Sequence, residues 1–315
     1  MDAPYGKFRI SSSRINGPLN LRETVLSAQT SEPEWVKEAG GLFTDIQELN
    51  GVPVKYSLSQ EGTVDDFSII VRYLSSESGD RSRQVLTSHL RQVLGLNDDV
   101  CSFYKTHSAK DEPLSSTFAV LRGLRLMRGT NLYESLICSI LSQNNSARRW
   151  NQIARLLMKY YGKRVCLPDG TSYYLFPRPE DVARSTVREL QSRTAMGYRA
   201  KSVLHVSKMV SNDELNLETL RRCDYEESME MLLKLHGVGP KVADCFLLYG
   251  AGKLCAAPVD VWIHRIVTKL YFRGRKVTRP EAARFLRERF GVWAGYAQLY
   301  LFDYARRIQK EGSAE

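Results

Sequence analysis

A turn written Gly237-Val238-Gly239-Pro240, set between two apolar segments, constrains this chain more than any other feature. The segment before it, Leu232-Leu233-Lys234-Leu235, reads as a helix ending near Lys234. Glycine has no Cβ, so the chain can reverse at Gly237 and Gly239 and come close to a partner. Pro240 suits the first turn of a new helix, where its missing N–H costs nothing. That helix runs on through Val242, Ala243, Phe246 and Leu247. Its free N–H groups and the positive end of its dipole face outward at the turn, which makes a ready anion site. Lys241 lies in this first turn, where a cation is electrostatically unfavourable. The misfit favours an uncharged amine, the form that a nucleophilic lysine needs. Gly250, Gly252 and Pro258 then break the helix, and Asp260 opens the next one as an expected N-cap.

The 315 residues suffice for two or three packed subdomains. Hydrophobic residues make up 43%, enough for a sizeable core. A net charge of +10 and a pI of about 9.3 favour a polyanionic partner without saying which. No apolar run is long enough to span a bilayer, and the first residues lack the apolar core of a secretion signal. An intracellular protein without membrane contact is therefore expected. Cys101, Cys138, Cys166, Cys223, Cys245 and Cys255 are scattered without Cys-x-x-Cys spacing. That disfavours a disulfide framework or a structural zinc site.

Residues 1 to about 112 read differently from the rest. β-rich runs occur at Lys7–Ile10, Gly41–Leu49, Val54–Ser59 and Phe67–Tyr73, punctuated by Gly51, Pro53 and Gly62. Helices are expected at Pro18–Ala28 and Asp80–Leu94, with a third starting at Asn97-Asp98-Asp99. From Ser115 onward nearly every segment reads as helix: Ser116–Met127, Leu132–Leu141, Ala147–Tyr161, Thr186–Arg193, Arg199–Val210, Tyr225–Leu235, Lys241–Leu248, Val261–Tyr271, Arg279–Phe290 and Trp293–Gln309. The expected fold class is α+β, an N-terminal antiparallel sheet with helices followed by two mainly helical parts. The corresponding division is 1–114, 115–240 and 241–315.

Three further stretches can carry chemistry. Ser142-Gln143-Asn144-Asn145-Ser146-Ala147-Arg148 puts a row of amides at a helix break, suited to hydrogen bonds with base edges. Plain helix capping by Asn or Ser is the commoner use of such residues. Met196-Gly197-Tyr198-Arg199-Ala200 offers an aromatic ring that can wedge into a base stack, beside an arginine. A loop tyrosine on the core with a surface arginine would look the same. Gln298 and Phe302 sit four apart, on one helix face; for Phe302 and Cys245, core packing is the bland alternative.

Together, Val238-Gly239-Pro240-Lys241-Val242-Ala243-Asp244-Cys245 and Pro258-Val259-Asp260 resemble the eukaryotic-type 8-oxoguanine DNA glycosylases of the helix-hairpin-helix superfamily. The resemblance covers about residues 15–310, strong after 115 and faint before. It implies that the hairpin at Gly237 and Gly239 grips a DNA phosphate and that Asp260 promotes glycosidic cleavage. Members with a lysine at the position of Lys241 also nick the strand. By the same resemblance, Cys245 and Phe302 flank a flipped purine and Gln298 bonds its edge. Gln143, Asn144 and Asn145 form the strand-separating loop, Arg148 reads the orphaned base, Tyr198 fills the gap in the stack, and Arg199 binds a phosphate or the orphaned base. Three positions depart from the pattern. Gln143 stands where the family has its first asparagine, and Ala28, in Leu26-Ser27-Ala28-Gln29-Thr30, stands where a glycine carbonyl meets the damaged base. Trp262 replaces a frequent histidine two residues after the aspartate.

The implied activity is removal of 8-oxoguanine, and formamidopyrimidine-guanine with it, from duplex DNA, followed by β-elimination through a lysine Schiff base. The implied partner is double-stranded DNA containing damaged purines, bound by a monomer wherever the cell keeps its DNA. No cofactor is required and no residue is assigned to a metal, though such hairpins allow a monovalent or calcium ion. An iron–sulfur cluster is not expected, since no cysteine follows Cys255. The alternatives are an alkylated-base glycosylase, a type that typically lacks the lysine, and a non-catalytic hairpin protein. In the latter, Lys241 would be a phosphate contact and Asp260 only a cap.

Overall fold

The computed structural model describes residues 5–27, 29, 35–38, 41–76 and 79–311. An antiparallel sheet holds β1 (Tyr5–Ser11), β2 (Val36–Lys37), β3 (Phe43–Leu49), β4 (Val52–Gly62) and β5 (Phe67–Ser75) in the order β1-β5-β4-β3-β2. Strand residues alternate between faces, and here Phe8 and Ile10, then Val54, Tyr56 and Leu58, then Phe67, Ile69, Val71 and Tyr73 are buried together. The register sets Leu58 opposite Val71 and Tyr56 opposite Tyr73, so these side chains meet on one face. After α1 (Leu21–Leu26), the helix α2 (Asp80–Val93) lays Leu86, Leu90 and Val93 on that face. The expected α+β architecture is therefore present.

Next come α3 (Val100–His107), α4 (Glu112–Val120), α5 (Leu132–Leu141) and α6 (Ala147–Tyr161). A two-stranded ribbon of β6 (Arg164–Cys166) and β7 (Ser172–Tyr174) precedes α7 (Pro179–Ala183) and α8 (Val187–Thr194). Then follow α9 (Arg199–Ser211), α10 (Leu217–Arg222), α11 (Tyr225–Leu233) and α12 (Pro240–Cys245), which continues as a π-helical turn over Phe246–Gly250. The chain ends in α13 (Val261–Tyr271), α14 (Arg279–Phe290) and α15 (Ala294–Glu311). Four of these match the expected bounds: α5, α6, α13 and α14. Each has a side-chain cap written in the sequence, from Asn131, Ser146, Asp260 and Thr278 respectively. One continuous apolar core runs from Val100 to Leu301. Val100 and Phe103 thus pack with the helices although they precede the boundary expected at 114, and no break in the core falls at 240.

One expected helix is not formed. Over Ser116–Met127 the chain leaves α4 at Val120 and runs on without regular structure to Asn131. Gly123 has φ +82°, and an added Cβ there would lie 2.6 Å from the Asn20 backbone nitrogen. Two residues later, Arg125 is fully buried. Its guanidinium donates to the carbonyls of Asn16, Gly17, Pro18, Gly95 and Asp98. A buried arginine is tolerated only with such partners, and here they bind the sheet layer to the helices. The ribbon and the helices α7 and α10 were not expected either, being too short to show a period.

Candidate active site

The hairpin between α11 and α12 is shaped by sterics. Gly237 has φ +75°, and a Cβ at this position would lie 2.1 Å from Ser202 Oγ on α9. Glycine is required there twice over, by conformation and by contact. Gly239, in contrast, has nothing within 4 Å of where a Cβ would be. Its surroundings are open to whatever approaches the N-terminus of α12.

A cleft of about 930 Å³ opens beside this N-terminus. The volume lies at the upper end of the roughly 300–1,000 Å³ typical of ligand sites. Lys241 and Cys245 line it, one helical turn apart on α12. Asp260 enters from the start of α13, and Gln298 and Phe302 from α15. Gln143, Asn144, Asn145 and Gly239 also border the cleft. Five residues expected to handle the base and sugar, scattered over more than sixty positions, thus share one cavity. Ala28 lies outside the described residues. Its neighbour Gln29 is buried and borders the cleft, bonded to Ser27 Oγ (2.8 Å), the Arg125 carbonyl (2.8 Å) and the Met127 N–H (3.1 Å).

Each polar group has a distinct setting. Asp260 Oδ1 accepts the N–H groups of Trp262 and Ile263, both at 2.9 Å. The cap ties this carboxylate rigidly to the end of α13. Lys241 Nζ donates to Ser142 Oγ at 2.9 Å and also reaches the Cys245 sulfur. Burial pushes the Cys245 thiol up, more than the neighbouring Lys241 amine pulls it down, so sulfur presents an uncharged wall. Gln298 is buried, yet its Oε1 finds no hydrogen-bond partner among the described residues. An orphaned buried amide oxygen is costly, and in a cleft it awaits a donor on a ligand. Phe302 is half-buried with Arg306 over its ring.

The loop after α5 is braced from two sides. Gln143 Nε2 donates to the Gly237 carbonyl at 2.9 Å. Arg199 gives its Nε to the Gln143 carbonyl at 3.0 Å, and its Nη1 to the Met196 carbonyl at 3.2 Å. Asn144, at φ +48°, donates to the Tyr198 hydroxyl at 3.1 Å, and Asn145 donates to the Leu141 carbonyl at 2.8 Å. Tyr198 is 58% exposed, in keeping with a wedge, and Arg148 is also exposed. Arg199, expected to contact DNA, has most of its surface covered by the protein. It is only 8% exposed, stacks under Tyr198 at 4.5 Å, and spends its guanidinium on carbonyls. Its place is beneath the Tyr198 ring.

Asp244, three residues after Lys241, was not singled out from sequence, although an acid in the apolar Val242–Leu248 run was a signal. It is 2% exposed, accepts from the Tyr225 hydroxyl at 2.7 Å and from the Ala257 N–H. These bonds join α12 to the preceding helix and to the loop that leads into Asp260. Burial raises its pKa from 3.8 to about 6, although Tyr225, Arg287 and the Ala257 N–H oppose the rise. The protonated form is therefore favoured by folding. The stabilisation is complete below about pH 4 and is lost as pH rises through about 6, on the order of 3 kcal/mol across the whole window. Asp244→Asn removes this dependence. The urea stability of the unaltered protein should gain about 1 kcal/mol relative to Asp244→Asn between pH 7.5 and pH 5. A difference that stays constant with pH would exclude Asp244 as the titrating group.

Among the described residues, no cluster of three or more His, Cys, Asp or Glu side chains could hold a metal, and no helix is long and apolar enough to cross a membrane. An ion at the hairpin would rely on backbone carbonyls, and that of Gly237 already accepts from Gln143.

Comparison with known proteins adds to this geometry. The HhH-GPD superfamily base excision DNA repair protein family matches residues 137–291. A probable N-glycosylase/DNA lyase of Methanothermobacter thermautotrophicus is 33% identical over 310 residues, spanning 92% of this chain and 95% of the relative. The solved structure of MBOgg1 in complex with a low-affinity DNA ligand is similar with a TM-score of 0.82 at 29% identity, over 98% of this chain and 100% of that one. An 8-oxoguanine glycosylase/lyase of Clostridium acetobutylicum, bound to double-stranded DNA with cytosine opposite 8-oxoguanine, gives 0.78 at 25% identity, over 98% and 100%.

Proposed function

This chain belongs to the HhH-GPD superfamily of base excision DNA repair proteins, and on that premise we propose that it removes 8-oxoguanine from duplex DNA and then nicks the abasic site. The observation that carries the reading is one cleft holding Lys241, Asp260, Cys245, Gln298 and Phe302 together. A base flipped out of the duplex stacks on Phe302, with Cys245 on its other face. Gln298 supplies the edge contact through an oxygen that has no partner among the described residues. The hairpin N-terminus at Gly237 and Gly239 holds a phosphate. Tyr198 fills the gap in the stack, and Gln143, Asn144, Asn145 and Arg148 face the orphaned base.

The chemistry follows from the two groups at the helix ends. The lone pair of neutral Lys241 Nζ forms a bond to the sugar C1′. The C1′–N9 bond breaks and its electron pair leaves with the purine, which takes up a proton. Asp260, as a carboxylate, stabilises the positive charge that develops at C1′. Nζ then passes a proton to O4′ as the C1′–O4′ bond opens with its electron pair going to O4′, and a protonated imine results. Loss of a C2′ proton expels the 3′ phosphate by β-elimination. No step calls for a cofactor, and a single chain supplies every group named, so a monomer suffices. Formamidopyrimidine-guanine presents a similar edge and should share the pocket. The protein works wherever the cell's DNA is.

A panel of duplexes, each with one lesion, tests the reading when strand cleavage is scored with and without alkali. Cleavage of 8-oxoguanine opposite cytosine without alkali is expected. Gln298→Ala should lower kcat/KM for this lesion by about tenfold or more and narrow the gap to normal guanine, because an edge hydrogen bond is lost. Equal excision of 3-methyladenine and 8-oxoguanine would favour the alkylated-base alternative. Binding without any cleavage would leave only a hairpin protein that holds DNA.

A further inference from the structure

We propose that Ser142 is a positioning residue that aims the amine of Lys241. The inference rests on Lys241 being the nucleophile. Ser142 ends α5, and its Oγ lies 2.7 Å from the Ser139 carbonyl. A carbonyl has no hydrogen, so the hydroxyl must donate there. Toward Lys241, 2.9 Å away, Ser142 can offer only lone pairs. Nζ must therefore donate an N–H to Ser142. The serine fixes rotation about the Cε–Nζ bond yet makes no claim on the nitrogen lone pair. That pair is left for C1′.

The anchor is rigid. Every residue of α5 from Tyr133 to Leu141 is buried, and Ser139 itself bonds the Ser135 carbonyl at 2.7 Å. Ser142 thus refers the amine to the protein core, not to a mobile surface. The adjacent Gln143 is held by Arg199 and by the hairpin carbonyl of Gly237. One short loop consequently fixes the amine, the hairpin and the base of the wedge. Misplacing a reacting group by about 1 Å can cost on the order of 100-fold in rate, so the hydroxyl should matter although it touches no substrate.

The experiment compares the full chain with Ser142→Ala and Ser142→Thr. Single-turnover base release from an 8-oxoguanine:cytosine duplex and Schiff-base formation at a preformed abasic site are followed, with borohydride trapping as a parallel readout. Enzyme concentration is varied, to separate the maximal rate from half-saturation. Ser142→Ala should lower both maximal rates by about 10- to 100-fold while half-saturation moves less than about twofold. Ser142→Thr, which keeps the hydroxyl, should recover most of the loss. Maximal rates unchanged in Ser142→Ala would overturn the proposal, as would a change in half-saturation alone or a threonine variant as slow as the alanine one. Absence of trapping by the unaltered protein would sink the lysine mechanism itself, and this proposal with it.

Discussion

Lys241→Gln should abolish covalent capture by borohydride and reduce both base release and nicking by roughly a thousandfold or more, as expected when a covalent nucleophile is lost. Glutamine has no basic nitrogen, so neither the bond to C1′ nor the imine can form. Its amide can still donate toward Ser142, and Lys241 is only partly buried. Folding should therefore persist, with an unchanged urea midpoint, and so should binding to the lesion duplex. Comparing capture, nicking and binding in the same preparation separates loss of the nucleophile from loss of the fold. Capture that survives would point to another amine, such as the N-terminus. Base release that survives while nicking disappears would mean that water attacks C1′, with Lys241 serving only the lyase step.

Asp260→Asn should slow base release by about a hundredfold or more, the scale of losing one preorganised electrostatic group. The substitution is close to isosteric. An asparagine Oδ1 can accept from the N–H groups of Trp262 and Ile263 as the aspartate does, and Asn caps helices about as well as Asp. What changes is the charge facing the sugar. Stability should shift by no more than about 0.5 kcal/mol, and lesion binding should hold. An abasic site has no base to expel, so less positive charge must be stabilised there. Single-turnover rates should accordingly show a larger loss on intact 8-oxoguanine DNA than on a preformed abasic site. Unaltered excision by Asp260→Asn would reduce Asp260 to a helix cap and remove the mechanism.

Much of the architecture was legible before any coordinates. The hairpin could be read because glycine and proline carry their conformational rules with them, and Gly237 does adopt φ +75°. Asp260 could be read as a cap because capping is local. The bounds of α5, α6, α13 and α14 followed from caps and periodicity within a few residues of one another. The strands β3, β4 and β5 followed from alternation. Resemblance supplied the roles proposed for Cys245, Gln298 and Phe302; for Cys245 and Phe302, plain core packing explains the residues equally well from sequence.

Partnerships over long separations could not be read this way. Lys241 and Ser142 are 99 positions apart, Gln143 and Gly237 are 94, and Arg125 and Asn16 are 109. A polar side chain can bond water, a ligand or a buried carbonyl, and its identity alone does not choose. The choice depends on which unsatisfied atoms the fold brings within about 3 Å. Hence nothing in the sequence shows that the Arg199 guanidinium meets the Gln143 and Met196 carbonyls and the Tyr198 ring, and Leu124-Arg125-Leu126, expected to be helical, runs without regular structure around a buried guanidinium. Local rules of backbone and cap, written in the sequence, determined where this chain turns and where its reactive groups stand along it. Only tertiary packing decided which carbonyl each arginine meets and which serine holds the lysine, because hydrogen-bond partners are settled by proximity in space.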